Sequence, residues 1–359
     1  MNAERGALVQ PSTGRLRARI DDVLTTFLGA QLYKIGDREI HTVFTTVTEF
    51  ILHGGKRIRP VLCYWGWRGA GGGEGQEILR VAAALEVFHA FCLIHDDIMD
   101  GSDLRRGRPT VHRVLADRHA RSRRRGNSER FGAASAILLG DLCMTWADEL
   151  LRTSGLDAPR LATAHRHYNR MRSELFYGQY LDMLEQSRGP SCAGRSMTIV
   201  RYKTAKYTAE RPLQLGGVLA GASPALLAAY SGFGLALGEA FQLRDDLLGA
   251  FGDPAVTGKP SIDDFRQGKP TVLIAHALRR AAPAQRRLID ALYGTSQIDE
   301  AGAGRLREVL RDTGAVAAVE AMIAERGERA LSILTTAPVH PSARQALSEL
   351  TTAALHRTA

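Results

Sequence analysis

Three closely spaced aspartates are the residues whose types and spacing most directly suggest chemistry. In the segment HDDIMD, Asp96 and Asp100 are four residues apart, and Asp97 lies one step round the helix that the preceding apolar run predicts. Carboxylates crowded on one helix face repel one another unless a cation lies between them. Mg²⁺ takes one or two protein carboxylates and completes its octahedron with waters and substrate phosphates. The segment therefore predicts a magnesium site, with a solvated helix end as the alternative.

A second acidic pair, Asp245 and Asp246, ends another apolar run in the segment FQLRDD. Basic residues trail both acidic segments: Arg105 and Arg106 follow the first, and Lys259 and Lys269 follow the second. Metal ions can bridge carboxylates to phosphates, and Arg and Lys can bind phosphate directly. Two such clusters predict a polyphosphate ligand.

A third basic element is the segment GGKRIRP, in which Lys56, Arg57 and Arg59 crowd a glycine turn. With Arg106 and His89 from elsewhere in the chain, it could bind a second anionic group without metal. A solvated turn is the alternative reading of this segment on its own.

The elements that must position these residues are helices. Apolar residues recur at intervals of three and four, as in Ile78, Val81, Leu85 and Phe88, and no segment alternates as a strand would. Glycines and prolines mark the connections, and no linker or repeat divides the chain. We therefore predict one all-α domain over residues 1–359, although length alone favours about two domains.

Two segments depart from this helical pattern. We expect a flexible N-terminus over about residues 1–14. Five arginines with little apolar content around them predict a solvated basic loop over about residues 117–130. No aromatic side chain is interleaved among these arginines to stack a base, so we expect no nucleic-acid partner.

Composition narrows the class of protein further. The formal net charge of +9 favours anionic partners such as phosphates. The cysteines, Cys63, Cys92, Cys143 and Cys192, have neither metal-ligand spacing nor the density of a disulfide framework. No apolar leader and no run approaching eighteen apolar residues is present, so we expect a cytoplasmic protein without a transmembrane segment.

Taken in order, these motifs resemble the trans-isoprenyl diphosphate synthase (polyprenyl synthetase) family, and most of all its geranylgeranyl diphosphate synthases. The resemblance runs from about Gly54 to Thr271 and includes GGKRIRP, DDIMD with RRGRPT, the dipeptides GD, GQ and KT, and FQLRDD. It implies the isoprenoid synthase fold, an all-α bundle around a central cavity, assembled as a homodimer with the two acidic segments facing each other. The implied reaction is the Mg²⁺-dependent head-to-tail condensation of isopentenyl diphosphate with an allylic diphosphate.

The resemblance also implies roles for individual residues. Asp96 and Asp100 correspond to ligands of two Mg²⁺ ions and Asp245 to a ligand of a third, with Asp97 and Asp246 supporting them. The residues that resemble the allylic diphosphate site are Arg105, Lys203 and Lys259. Those that resemble the isopentenyl diphosphate site are Lys56, Arg59, His89 and Arg106. The polar neighbours of the reacting carbons correspond to Thr204 and Gln242, and Lys269 closes over the diphosphates.

The implied chemistry is physically consistent with these residue types. Mg²⁺, arginine and lysine neutralise the charge that develops on the departing pyrophosphate. The isopentenyl double bond attacks the resulting allylic carbocation, and the released pyrophosphate accepts the proton. No histidine base is required, so we expect His95 to pack or to support the aspartates rather than to act as a base.

One position departs from the family pattern. Many members have a third aspartate four residues after the first in the second acidic segment, whereas this chain has Gly249. We expect Asp245 and Asp246 to have fewer anionic neighbours as a result, which weakens the third metal site more than it affects activity.

Residues just before the first acidic segment bear on product length. A rise of 1.5 Å per residue puts Phe91 about 7.5 Å and Phe88 about 12 Å along the helix from Asp96. Helical projection leaves open whether Phe91 or Cys92 lines a cavity. Core packing is the alternative role for the rings of Phe88 and Phe91. An aromatic five residues before the first aspartate, followed by a small residue, resembles geranylgeranyl synthases and implies a twenty-carbon product.

Other functions stay open at this point. A farnesyl or longer-chain synthase would use the same motifs. A terpene cyclase also uses aspartate-rich helices, but it needs no isopentenyl site. A non-catalytic subunit of a heteromeric synthase would have lost metal ligands, and only Gly249 hints at that.

Overall fold

The computed structural model describes residues 10–33, 36–189, 192–253 and 261–356, and helices account for most of them. Strands are confined, in this part of the chain, to a hairpin of β1 (Leu104–Arg105) and β2 (Arg108–Pro109). The all-α prediction is therefore confirmed. The helices form two compact units, and the boundary between Thr163 and Ala164 falls inside one helix. The single domain over residues 1–359 stays a prediction.

The first unit contains the described residues up to Trp67 and residues Gly72–Thr163. Its helices are α1 (Gln10–Tyr33), α2 (Arg38–Leu52), α3 (Ile58–Gly69, of which the last two residues belong to the second unit), α4 (Gln76–Met99), α5 (Val111–Arg121), α6 (Ser128–Arg152) and the start of α7 (Ala158–Arg188). Helix α4 is apolar on nearly every side and packs against α6 and α1. It ends at Met99, so its last turn carries the first acidic segment.

Helix α4 is also long and apolar enough to cross a membrane by length and composition. Its most apolar window is 72% buried inside the protein, which is typical of the core helix of a globular fold. Among the described helices it is the one that meets these criteria.

The second unit contains Arg68–Gly71 and the chain from Ala164 onward. After the rest of α7 come α8 (Ala193–Ile199), a π-helix, π1 (Val200–Glu210), α9 (Arg211–Leu219) and α10 (Pro224–Phe251). Then follow α11 (Asp263–Arg266), α12 (Val272–Arg280), α13 (Pro283–Leu292), α14 (Glu300–Asp312), α15 (Ala315–Thr336) and α16 (Pro341–Leu355). Helix α10 packs against π1 and α15, and the second acidic segment lies near its C-terminal end.

Helices extend into both segments that were expected to be irregular. Residues 10–14 belong to α1, whereas residues 1–9 lie outside the described part of the chain. The basic loop spans only residues 122–127, because α5 continues to Arg121 and Asn127 caps α6 by accepting a hydrogen bond from the Arg130 amide. Two of the five arginines therefore lie on α5 rather than in a loop.

Candidate active site

The first acidic segment lies on the last turn of α4 and is bound by an arginine from the β-hairpin. Arg105 contacts Oδ1 of Asp97 through Nε at 2.7 Å and through Nη2 at 2.6 Å, and its Nη2 lies 3.5 Å from Oδ2 of Asp96. Asp100 forms the C-cap of the helix. The structure thus brings together Asp96, Asp97, Asp100 and Arg105, as the spacing predicts.

Asp97 is the buried member of this group. Its side chain is 1% exposed, and burial raises its pKa to about 6 although Arg105 opposes the shift. Its Oδ2 atom is buried and has no hydrogen-bond partner among the described residues. A buried carboxylate oxygen in this state favours an additional cation or proton donor beside it.

His95 packs against α6, where its Nε2 also lies 3.8 Å from Oδ1 of Asp141. Its Nε2 lies 3.1 Å from the carbonyl oxygen of Ile137, and its ring packs against Phe91. A Cβ at Gly140 would lie 2.2 Å from Nε2, so only glycine at this position leaves room for the ring. This packing confirms the structural role expected for His95 and explains the glycine of the GD dipeptide.

Arg106 is presented by the tight turn of the β-hairpin. Arg106 and Gly107 both have positive φ, 54° and 74°, which is typical of the two-residue turn that joins twisted antiparallel strands. Nη1 of Arg106 donates to the carbonyl of His53 at 2.9 Å, just before the GGKRIRP segment. The hairpin thus brings Arg106 to the glycine turn.

Several guanidinium groups surround His89 on α4. Burial lowers the pKa of His89 well below its usual value, and the charges of Arg59 and Arg106 lower it further. Lys56 is exposed on the adjoining loop, and Arg59 is half-buried near the start of α3. Within the first unit, Arg59, His89 and Arg106 therefore share one electropositive region.

Arg57, in the same segment, is directed away from solvent. It is 3% exposed and donates to Glu86 on α4 at 2.7 Å and to Asp21 on α1 at 2.8 Å. Its counterpart Glu86 is also buried. Neither Glu86 nor Asp21 was among the predicted site residues, because ion pairs between distant helices leave no local pattern in the sequence.

In the second unit, π1 carries Lys203 and Thr204. Nζ of Lys203 lies 2.5 Å from Oδ2 of Asp182 on α7, four residues after the glycine of the GQ dipeptide. Thr204 donates to Gln242 at 2.7 Å, and Gln242 donates to Asp246 at 2.8 Å. A hydrogen-bonded series therefore joins π1 to the second acidic segment.

Asp246 is buried, whereas its neighbour Asp245 is half-buried. Burial raises the pKa of Asp246 to about 7, and the hydrogen bond from Gln242 opposes the shift. The charges of Asp264 and Asp245 raise this pKa further.

That Gly249 leaves the pair with fewer anionic neighbours than the family pattern stays a prediction, but the structure gives the pair one further anionic neighbour, Asp264. A Cβ at Gly249 would lie 1.9 Å from Oδ2 of Asp264, so the carboxylate of Asp264 occupies the space that a side chain at position 249 would need. Asp264 comes from α11, and sequence analysis did not identify it as a site residue. The signal was present in the acidic pair of SIDDFRQGK, but the local spacing does not indicate that α11 packs against α10.

Lys269 lies beside this added carboxylate. Its Nζ is 3.7 Å from Oδ1 of Asp264, its amide donates to the Asp264 carbonyl at 3.3 Å, and its own carbonyl accepts a hydrogen bond from the Tyr293 hydroxyl. The other predicted cation of this segment, Lys259, lies outside the described residues.

The predicted chain-length residues lie on α4 within the first unit. Phe88 is fully buried and Phe91 nearly so, and their rings stack with centroids 5.4 Å apart. Cys92 is more accessible. Phe91 thus lies between Phe88 on one side and His95 on the other.

The carboxylates fit Mg²⁺ that arrives with a diphosphate. No group of three or more His, Cys, Asp and Glu side chains forms a metal site within the ranges the structure describes. Mg²⁺ needs only one or two protein carboxylates when substrate phosphates and waters supply the other ligands. The free oxygen of Asp97 and the half-buried Asp96 and Asp245 are donors of the required type.

Comparisons with known proteins agree with these motifs. The family model for polyprenyl synthetase matches residues 41–310. A geranylgeranyl pyrophosphate synthase structure from Corynebacterium glutamicum, complexed with isoprenyl diphosphate and magnesium, is 39% identical with a TM-score of 0.92, covering 96% of this chain and 99% of that chain.

Curated relatives include enzymes with products of different length. The geranylfarnesyl diphosphate synthase of Aeropyrum pernix is 31% identical over 89% of this chain and 92% of its own length. The (2E,6E)-farnesyl diphosphate synthase of Mycobacterium bovis is 32% identical over 70% of this chain and 68% of its own length. The likeness confirms the isoprenoid synthase fold, and enzymes of this kind use a divalent metal. The family model matches most of the length of this chain. The chain therefore belongs to the polyprenyl synthetase family and is an isoprenyl diphosphate synthase, a prenyltransferase.

Proposed function

We propose that the protein condenses isopentenyl diphosphate head-to-tail with an allylic diphosphate in a Mg²⁺-dependent reaction, and that its main product is geranylgeranyl diphosphate. The observation that carries the proposal is the acidic last turn of α4 beside a separate cluster of arginines. Carboxylates of this kind suit a metal-bound diphosphate, whereas the arginine cluster suits a diphosphate bound without metal.

In this proposal isopentenyl diphosphate binds to Lys56, Arg59, His89 and Arg106. Burial is the main cause of the lowered pKa of His89, and the further lowering by the charges of Arg59 and Arg106 supports this assignment because it places both cations near the ring. A neutral imidazole can donate one hydrogen bond to a phosphate without adding to the repulsion among those cations.

The allylic diphosphate binds through metal and through basic side chains. Asp96 and Asp100 bind two Mg²⁺ ions and Asp245 binds a third, with Asp97 and Asp246 as supporting carboxylates. When bound, Mg²⁺ neutralises charge on the diphosphate and so makes it a better leaving group. Direct contacts come from Arg105, Lys203, Lys259 and Lys269. Arg105 and Lys203 each have a carboxylate partner close by, which favours a preset orientation.

We further propose that Asp264 serves in place of the aspartate that Gly249 replaces. Its carboxylate lies in the space next to Gly249, and its charge acts on Asp246. The second acidic segment then keeps three carboxylates, two from α10 and one from α11.

Different side chains contribute to the successive steps of the condensation. Cations stabilise the pyrophosphate as the allylic C–O bond breaks. Thr204 and Gln242, hydrogen-bonded to each other, present oxygen atoms toward the allylic cation. The isopentenyl double bond forms the new C–C bond, and the departing pyrophosphate takes the proton that restores a double bond. His95 contacts the Ile137 carbonyl and takes no part.

Product length is proposed to depend on Phe88, Phe91 and Cys92. The stacked rings form a bulky barrier on α4 one to two turns before Asp96. The likeness to a geranylgeranyl synthase at 39% identity supports the twenty-carbon product, and a farnesyl or longer product is the alternative.

We propose a cytoplasmic homodimer. Large apolar side chains are exposed on α6 and α7, including Leu138 at 70%, Tyr177 at 61% and Tyr180 at 66%. Apolar exposure of this extent favours burial against a second copy. The four cysteines have neither metal-ligand spacing nor the density of a disulfide framework, which suits a reducing compartment.

Incubation with Mg²⁺, isopentenyl diphosphate and each of the five-, ten- and fifteen-carbon allylic primers tests the proposal. We expect a twenty-carbon diphosphate, identified by chromatography after dephosphorylation, and no product when a chelator removes the metal. Consumption of the allylic substrate without isopentenyl diphosphate would instead indicate a cyclase.

A further inference from the structure

Arg57 joins three helices at the turn that carries the GGKRIRP segment. Its Nε binds Asp21 on α1 at 2.8 Å, its Nη1 binds Glu86 on α4 at 2.7 Å, and its Nη2 donates to the carbonyl of Leu52 at the end of α2 at 3.2 Å. Its backbone has φ of 50°, in the left-handed region that is costly for a residue with a side chain. The guanidinium contacts therefore offset the cost of this conformation.

Glu86 connects the same turn to the rest of the basic cluster. It lies on α4 one turn before His89, and it is 4% exposed. A Cβ at Gly55 would lie 3.1 Å from Nη2 of Arg106, 3.2 Å from Nη1 of Arg57 and 3.3 Å from Oε1 of Glu86. These three charged groups therefore meet under the glycine turn.

We propose that the buried Arg57–Glu86 ion pair is a positioning device for isopentenyl diphosphate. It fastens the loop that carries Lys56, and with it the start of α3 that carries Arg59, to the helix of His89, so that the cationic groups are in place before the substrate binds. This inference rests on the proposed function and adds two positioning residues to it.

The physical argument concerns preorganisation. Lys56 precedes Arg57 on the loop and Arg59 follows two residues later in the first turn of α3, so the anchored guanidinium limits the directions in which both side chains can extend. Glu86 also offsets one buried positive charge in a region where four arginines act on His89. A site already ordered loses less entropy on binding, and the loss of that order weakens binding of the substrate it contacts.

The test compares Michaelis constants for the two substrates. Arg57→Lys keeps the charge but loses the planar fork that reaches three partners, and Glu86→Gln keeps the shape but loses the counter-charge. For each variant we expect KM for isopentenyl diphosphate to rise about tenfold, with KM for the allylic diphosphate and kcat within about twofold. The double variant should raise KM for isopentenyl diphosphate little more than either single variant does, because both substitutions remove the same ion pair.

A matched control is Arg123→Lys. Arg123 also has φ of 50°, but it is exposed in the loop between α5 and α6, so both KM values should stay unchanged. Asp21→Asn covers the case in which the buried variants do not fold. The Asp21 side chain is 46% exposed and supplies one of the three contacts, so we expect a two- to threefold rise in KM for isopentenyl diphosphate alone.

Wild-type turnover tests the proposed function, whereas the ratio of the two KM values across variants tests this inference. Folded variants in which both KM values rise together, or in which neither changes, would overturn the positioning role. A fall in kcat at unchanged KM would overturn it as well.

Discussion

Gly249 and Asp264 allow a sharp test of how the second acidic segment works. A Cβ at position 249 would lie 1.9 Å from Oδ2 of Asp264, whereas ordinary contact begins near 3.4 Å. In Gly249→Ala the carboxylate must therefore retreat by about 1.5 Å. Gly249→Asp forces the same movement but supplies a carboxylate of its own. A comparison of the two variants therefore shows whether the second acidic segment needs Asp264 itself or only a third carboxylate at this place.

The expected magnitude follows from the role of a carboxylate that supports a metal site. Removal of such a partner typically weakens metal binding by about 10- to 100-fold. We expect Gly249→Ala to raise the Mg²⁺ concentration for half-maximal rate by at least about tenfold, whereas Gly249→Asp should keep turnover within about one order of magnitude of wild type. Alanine is favoured over glycine in a helix by about 1 kcal/mol, so folding stability should not fall steeply.

The assay measures initial rate against free Mg²⁺ at saturating substrates. A second readout is the rise in melting temperature on addition of Mg²⁺ with inorganic pyrophosphate, which requires no turnover. Asp264→Asn is the matched variant: it should reproduce Gly249→Ala, and the two changes together should add little. A wild-type Mg²⁺ dependence in Gly249→Ala, or a poorer one in Gly249→Asp than in Gly249→Ala, would refute the reasoning.

Three further predictions concern other parts of the molecule. Asp96→Ala should abolish turnover with little change in melting temperature, and near-normal product formation would contradict the metal assignment. Shrinking Phe88 and Phe91 to alanine should lengthen the product, as sized by chromatography, and an unchanged length would remove them as the barrier. Although burial alone would raise the pKa of Glu174, hydrogen bonds and charge from Arg211 and Lys206 lower it to about 2 from 4.5. The ionised carboxylate therefore stabilises the folded state above pH 4.5, and this stabilisation is lost as pH falls toward 2. Urea unfolding at pH 6 and pH 3 measures the difference in free energy of unfolding between wild type and Glu174→Gln. An equal difference at both pH values would contradict the lowered pKa of Glu174.

The local part of the site could be predicted from the sequence. Asp96 and Asp100 are four residues apart on a helix whose apolar run precedes them, so spacing alone predicts that they share a face. The paired arginines of the hairpin follow within ten residues, and the structure brings Arg105 onto Asp97 as that proximity suggests. Short-range geometry of this kind depends on few long-range contacts.

The predicted basic loop is too long, because the prediction rests on the arginine content of the segment and not on its apolar periodicity. Val111, Leu115 and His119 are buried at intervals of four, so α5 has an apolar face that continues beneath the arginines. Arg118 donates to Thr46, and Arg124 pairs with Glu39 on α2. The basic side chains thus lie on the polar face of a helix or pair with a neighbouring one.

Contacts between distant segments could not be predicted. Glu86 and Arg57 are 29 residues apart, and nothing in either local sequence indicates the other. Asp264 reaches Gly249 only because α11 packs against α10. In both cases a glycine leaves the space into which a charged group extends, so an unexplained glycine near a catalytic motif is a useful signal for a side chain that arrives from elsewhere.

Glycines also leave space beside the π-helix, and there the backbone of another segment occupies it. Apolar periodicity does not distinguish π1 from an ordinary helix, yet Lys203 and Thr204 both lie on it. A Cβ at Gly178 on α7 would lie 2.3 Å from the amide nitrogen of Lys203, and one at Gly238 on α10 would lie 2.4 Å from Cα of Ala205. Two neighbouring helices therefore contact the π1 backbone directly, where side chains would otherwise intervene. Because main-chain contacts are stiffer than contacts through flexible side chains, the positions from which Lys203 and Thr204 extend are set by the packing of three helices rather than by their own sequence.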